Sequence, residues 1–311
     1  MNENELLNFL IPEMRQSADV IVPPGDDCAL VKIGNENVLM AVDQVIAGVH
    51  YTPETDVKLI AEKLLKRNLS DIAAMGGIAT HAVMTLASNR HNQIWYQEFY
   101  KAMAKITKKY SVAMVGGDLA KSTNQIYEED NVIEICTLTI FGKMTTNNIL
   151  LRSNAKENEI LYVTGKLGNS FKSEHHLKFS PRLKEGLFLA QNNFSSSAID
   201  ISDGLILDAT RMAISSSCTI EIDDESLPLR NGASKQMALS DGEDYELLFT
   251  IPLSKTEFFE QQWHNNFPET QLTQIGKILA NNQENFPNKV VINQNGVILS
   301  DEKNIGYVHR G

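Results

Sequence analysis

The chain has 311 residues, 42% of them hydrophobic and 22% charged, enough for one large or two medium domains that each bury a core. Its 28 Lys and Arg against 39 Asp and Glu give a formal charge of -11, which argues against a nucleic-acid backbone or an anionic membrane surface as partner, since both attract positive protein. A small phosphate substrate stays open, because an acidic pocket that takes up Mg²⁺ reverses its local field.

Cys28, Cys136 and Cys218 lie far apart and form no CxxC pair, so neither a disulfide framework nor a structural zinc site is expected. The opening MNENELLNFL has no basic segment followed by an apolar run. No stretch approaches the ~18 apolar residues of a membrane span, and a cytoplasmic protein is expected.

In chain order, residues 1–24 predict a short helix and an extended entry ending at Pro23-Pro24. Ala29 to Ile33 and Val38 to Val42 read as strands around the turn Gly34-Asn35-Glu36-Asn37. From Val57, an apolar face of Leu59, Ile60, Ala61, Leu64 and Leu65 predicts a helix that runs to Met75 and breaks at Gly76-Gly77. His81 to Leu86 is a strand, 94–109 an amphipathic helix, and Val112 to Val115 a buried strand running into Gly116-Gly117-Asp118. Val132 to Phe141 is a further strand. A polar stretch over 142–159 suggests a boundary between two mixed α/β domains, 1–142 and 143–311. Beyond it, Glu159 to Val163 and Ala198 to Ile201 read as strands, 205–216 as a helix, and Tyr245 to Ile251 as a strand. Val290 to Ile292 and Val297 to Leu299 are short apolar runs between turns.

The acids are placed informatively. Asp26-Asp27 follows Pro-Pro-Gly, Asp43 ends an apolar strand, Asp71 lies near a glycine break, and Asp118 follows Val-Gly-Gly. Asp200 and Asp203 bracket a turn, and Glu243-Asp244 precedes a strand. One Asp beside a Gly is commonly a turn former or a helix cap. A set of them at the ends of apolar segments points to a shared site, since Mg²⁺ takes carboxylate oxygens together with substrate phosphate oxygens. Phosphoryl transfer then needs chiefly positioning and charge neutralisation. The chain carries no GxxxxGK[ST], no GxGxxG and no GxSxG, so P-loop, Rossmann and nucleophile-elbow chemistry are not indicated.

Taken together, Gly25-Asp26-Asp27-Cys28-Ala29-Leu30, Val42-Asp43, Ala47-Gly48-Val49-His50-Tyr51 and Asn68-Leu69-Ser70-Asp71-Ile72-Ala73-Ala74-Met75-Gly76 form an ordered series. It continues through Gly116-Gly117-Asp118, Tyr162-Val163-Thr164-Gly165, Ile199-Asp200-Ile201-Ser202-Asp203-Gly204-Leu205, Gly242-Glu243-Asp244-Tyr245-Glu246-Leu247 and Gly306-Tyr307. The series resembles the thiamine-monophosphate kinase family, of the superfamily that also holds aminoimidazole ribonucleotide synthetase and selenophosphate synthetase.

The resemblance implies a two-domain α/β (mixed α+β) fold. Its N-terminal domain would bind ATP and Mg²⁺ and form a dimer β-barrel, and its C-terminal domain would complete the cleft. It implies in-line transfer from ATP to thiamine monophosphate, giving thiamine diphosphate, in a homodimer with no nucleic-acid or membrane partner. Asp27, Asp43, Asp71, Asp118, Asp200 and Asp203 would be Mg²⁺ ligands, with Asp43, Asp71, Asp118 and Asp203 the catalytic group. Gly117, Asp118, Arg152 and Ser202 would lie at ATP, and His50, Glu243 and Tyr307 at thiamine monophosphate. The chain departs from the family pattern at Ala41-Val42 and Leu119-Ala120, where hydroxyl residues are usual, at Asp241, and in a short segment between Ser170 and Pro181. Two alternatives stay open: a related ATP-dependent synthetase of the same superfamily and, motivated by the missing hydroxyls, a catalytically weakened nucleotide-binding dimer.

Overall fold

The computed structural model describes residues 6, 9–14, 17–121, 133–280, 289–294 and 297–300. Two sheets organise them. The first contains β1 (Val20–Val22), β2 (Ala29–Ile33), β3 (Glu36–Ile46), β4 (Ile78–Ser88), β5 (Ala113–Lys121) and β6 (Glu134–Lys143), in the order β1-β2-β3-β6-β4-β5. The second contains β7 (Glu159–Thr164), β8 (Ala198–Asp200), β9 (Thr219–Asp223), β10 (Leu247–Pro252), β11 (Leu272–Leu279), β12 (Val290–Gln294) and β13 (Val297–Ser300), in the order β13-β12-β9-β11-β7-β10-β8. The two-domain α/β architecture is as expected.

The β-barrel is not. The first sheet is open, with β1 and β5 as edges that do not pair with each other. Five strand spacings separate those edges, roughly 24 Å across a flat sheet. Helices α1 (Val57–Ala74) and α2 (Gln93–Lys109) pack their apolar residues into the core beneath the sheet, giving a two-layer sandwich rather than a closed cylinder.

β5 also differs from the buried strand expected there. Val112 is buried, but Val115 is 60% and Leu119 57% exposed. After an irregularity at Val115 the strand continues through Gly116, Gly117 and Asp118, parallel to β4. A Cβ on Gly117 would stand 2.1 Å from the Met84 carbonyl oxygen, so this glycine lets two strands approach instead of making a turn.

Helix α1 ties the halves together. Asp56 caps it by accepting the Lys58 N–H at 2.9 Å, and it buries Ile60, Ala61, Leu64, Leu65, Leu69 and Ile72 in the first core. Ala73 and Ala74 belong instead to a core with Tyr162, Leu189, Phe249 and Trp263. At that end Gly186 of α4 (Leu183–Gln191) meets the helix backbone, and a Cβ there would lie 2.0 Å from the Ala73 carbonyl oxygen. A helix covered on nearly every side has few positions for charge. Those it does carry therefore demand partners.

Further α-helices among the described residues are α3 (His175–Lys178), α5 (Leu205–Ser215), α6 (Lys235–Ser240) and α7 (Thr256–Asn266). Cys28, Cys136 and Cys218 are buried free thiols. No helix among the described residues is long and apolar enough to cross a membrane.

Candidate active site

Three carboxylates converge where α1 passes between the sheets. Asp27 comes from the loop before β2, Asp71 from α1 and Asp200 from the end of β8, each offering an oxygen within 4.8 Å of the others. Local structure dictates the meeting. Ser70, beside Asp71 on the helix, donates to Asp200 Oδ2 at 2.6 Å. Asn68 accepts the Asp43 N–H at 3.2 Å and donates to the Leu64 carbonyl at 2.9 Å. One helical turn thus pins β3 on one side and β8 on the other.

Burial and mutual repulsion raise Asp71, Asp200 and the neighbouring Asp26. The Asp71 carboxyl is pushed well above its usual range by desolvation and then by Asp43, Asp200 and Asp27. Asp200 shifts the same way, through desolvation and then Asp27. Asp26 rises to about 7, through burial and the charge of Asp27. Asp27 Oδ1 takes Arg152 Nη2 at 2.5 Å, while its Oδ2 is buried with no hydrogen-bond partner. An orphaned carboxylate oxygen beside two further carboxylates is what a divalent cation satisfies, and the all-oxygen donor set suits Mg²⁺.

A pH dependence follows. A buried acid with a raised folded value is protonated in the native state and ionised in the unfolded chain, so stability falls as pH rises through that interval. The metal-free protein should lose stability from 3.8 to about 7, the interval set by Asp26, and Mg²⁺ should restore it. Melting temperatures across this range, with and without Mg²⁺, test the point. A metal-free curve that climbs throughout and ignores Mg²⁺ would refute it.

The other expected residues divide. Asp43 lies within β3 rather than at its end, and it pairs with Arg67 at 3.2 Å. Desolvation raises it against the pull of Arg67. Asp203 pairs with Arg211 at 2.6 Å. The turn carrying Ser202 and Asp203 is shaped by Asp208, whose Oδ2 accepts the N–H groups of Ser202, Asp203 and Gly204 at 3.1, 3.0 and 3.2 Å.

Asp118 is not brought to the trio. It is exposed on edge strand β5, and β5 stands three strand spacings from β3 in the sheet order, roughly 14 Å. Gly117 is there with it. Tyr307 lies outside the described residues.

His50, Ser202, Asp203, Gly242 and Glu243 line one cleft with Val49, Arg67 and Phe171. His50 Nδ1 accepts the Ile46 N–H at 3.1 Å, which places the proton of a neutral imidazole on Nε2. Glu243 has a left-handed φ of 63°, a strained backbone state for a side-chain-bearing residue. It is held by its N–H to the Ser202 carbonyl at 2.7 Å and by Ser170 Oγ on its own carbonyl at 2.6 Å. Its carboxylate pairs with Lys63, whose side chain is 0% exposed and which also donates to the His50 carbonyl at 2.7 Å. Burial lowers the Lys63 amine to about 8, against the opposing pull of Glu243.

Sequence reasoning misses Lys63, Arg67, Asn68 and Ser70 as site residues. The last two stand inside the Asn68-Leu69-Ser70-Asp71 motif, and that was the available signal. Lys63 and Arg67 carry no local signature.

Residues 25–144 match the family described as AIR synthase related protein, N-terminal domain. The thiamine-monophosphate kinase of Buchnera aphidicola subsp. Schizaphis graminum is 32% identical over 280 residues, covering 80% of this chain and 83% of that protein. The enzyme of that name from Escherichia coli K12 is 32% identical over 263 residues, covering 75% and 77%. A solved structure of AaThiL complexed with AMPPCP and TMP superposes with TM-score 0.80 at 24% identity, over 99% of this chain and 97% of that one, a likeness of fold. Over residues 25–144 the chain is thus similar to the AIR synthase related proteins. By its relatives over most of its length, it belongs to the thiamine-monophosphate kinase family.

Proposed function

We infer that this chain phosphorylates thiamine monophosphate with ATP, giving thiamine diphosphate and ADP. The observation that carries the reading is the Asp27, Asp71 and Asp200 trio, set beside the cleft of His50 and Glu243 in a chain similar to thiamine-monophosphate kinases over most of its length. In this reading residues 1–142 supply Asp27, Asp71 and His50, and residues 143–311 complete the cleft with Arg152, Asp200, Ser202 and Glu243.

Asp27, Asp71 and Asp200 would hold Mg²⁺, which supplies charge neutralisation at the phosphates. Arg152 and Ser202 would meet ATP, while His50 and Glu243 would orient the acceptor. Tyr307 belongs to the same acceptor proposal. No side chain need act as a nucleophile, because an acceptor phosphate oxygen attacks the γ-phosphorus and the β–γ bridging oxygen leaves with ADP. Asp43 and Asp203, already paired with arginines, would act as further ligands only by exchanging those partners.

Incubation with Mg²⁺, ATP and thiamine monophosphate should yield thiamine diphosphate and ADP in equal amounts. ATP bound tightly with no product from this acceptor would overturn the reading.

The proposed homodimer is supported by exposed apolar residues on the first sheet, among them Val42, Val115 and Leu119. Asp118 and Gly117 would then serve ATP or metal from a second copy. Sedimentation should give about twice 34.7 kDa. A monomer at micromolar concentration would exclude both parts of this proposal.

A further inference from the structure

Four arginines of the second half each hold a carboxylate at 3.0 Å or less. Arg152 lies 2.5 Å from Asp27, Arg211 2.6 Å from Asp203, Arg182 2.6 Å from Glu246 and Arg230 3.0 Å from Asp244. Arg67 is held more loosely. Its Nη2 reaches Asp43 at 3.2 Å, and its Nη1 donates to the Gln44 carbonyl at 2.9 Å but stands 4.0 Å from Glu243. Its Nε–H is buried with no partner, as is that of Arg152. A guanidinium offers five N–H donors in a planar fork, and the protein satisfies only part of that capacity here.

The place matters as much as the spare donors. Arg67 lines the cleft of His50, Ser202 and Glu243, and also an adjoining opening of about 470 Å³ with Asp43, Gln44 and Thr137. It stands one helical turn before Asp71, about 6 Å along the axis. A guanidinium stays protonated in proteins, and although burial works against the cation, the carboxylate of Asp43 beside it more than offsets that. Arg67 therefore sits between the carboxylate trio and the acceptor cleft, with a fixed charge and more N–H donors than its protein partners use.

We propose that Arg67 is a substrate-binding catalytic residue that grips the phosphate of thiamine monophosphate. This deepens the kinase reading and rests on it. Two guanidinium N–H groups take two phosphate oxygens, and a third oxygen remains to attack the γ-phosphorus of ATP. The new P–O bond forms as the β–γ bridging bond breaks and ADP departs with that electron pair. Arg67 keeps its protons throughout and stabilises the negative charge shared by acceptor and transferring group. Asp43 acts as the counter-charge that aims the fork.

The test compares Arg67→Ala and Arg67→Lys with the wild type, in steady-state kinetics and in calorimetric binding of thiamine monophosphate without Mg²⁺ or ATP. Arg67→Ala should lower kcat/KM for thiamine monophosphate by about 10²-fold, while KM for ATP moves less than about threefold. Metal-free binding of thiamine monophosphate should weaken in parallel. Millimolar guanidinium should restore part of the Arg67→Ala rate. Lysine, with its charge but without the fork, should recover less than a tenth of the lost activity.

A wild type that makes no thiamine diphosphate would sink the kinase reading itself. A wild type that turns over, beside an Arg67→Ala variant within about threefold of it, would sink the Arg67 role alone. So would a loss that neither guanidinium nor lysine relieves and that leaves thiamine monophosphate binding unchanged. If the alanine variant folds poorly, the lysine variant decides, and wild-type kinetics from it would overturn the proposal.

Discussion

Asp71→Asn is expected to melt at the same temperature as the wild type or higher when metal is absent, and to lose Mg²⁺-dependent turnover by about 10²-fold or more. The two outcomes come from one charge. Asp71 is buried beside Asp27 and Asp200, and desolvation with the neighbouring acids pushes its carboxyl well above the usual range. An amide of the same shape removes that penalty from the empty site. It also removes the oxygen charge that a hard cation needs. If Asp71 only capped or braced the helix, asparagine would serve almost as well and activity would survive. Near-normal turnover at low Mg²⁺ would therefore dismiss the metal assignment, whatever the melting temperature showed.

Glu243→Ala should be the most destabilising single change at the acceptor end. It removes the carboxylate from Lys63, whose side chain is 0% exposed, and uncovering one member of a buried pair costs about 3–5 kcal/mol. The sign with pH is fixed by the amine. Lys63 is lowered from 10.5 to about 8 even with its partner. A lysine with a lowered folded value weakens the fold increasingly as pH falls below its unfolded value, and the deficit of Glu243→Ala should deepen in that direction. Adding Lys63→Met should return most of the lost stability while leaving acceptor binding impaired. Denaturant unfolding of the two single variants and the double variant measures this. A double variant no more stable than Glu243→Ala would show that the pair is not the source.

Much of the framework is legible in the residues. Ala29 to Ile33 reads as a strand and is β2, and the apolar spacing from Val57 marks α1 through to its glycine break. The acids mislead in a specific way. Asp43 and Asp118 look like strand-end residues because an apolar run stops or a glycine pair stands beside them, yet both strands continue past them. Hydrogen-bond ladders do not end where hydrophobicity does, and Gly117 serves the contact with β4 rather than a turn.

The barrel came from resemblance and not from any pattern in the residues, and the sheet of this chain remains open. Lys63 and Arg67 are invisible for another reason. On a lone amphipathic helix they would be ordinary solvated charges. Only the second half of the molecule, folding over α1, removes them from water and makes their partners compulsory.

Lys63, Arg67 and Asp71 fall four residues apart on a single helix whose two ends are clamped into different cores. Eight residues of α-helix set about 12 Å between the first and the last. A rod of that kind forgives exchange of side chains far more readily than a change in its count. Inserting or deleting one residue between Lys63 and Asp71 would rotate one end against the other by about 100°. That turn would carry Asp71 away from Asp27 and Asp200, or Lys63 away from Glu243, because the clamps cannot both follow. Lineages of this protein can thus be expected to vary in loop length nearly anywhere before they vary in length across the roughly one helical turn on either side of Arg67.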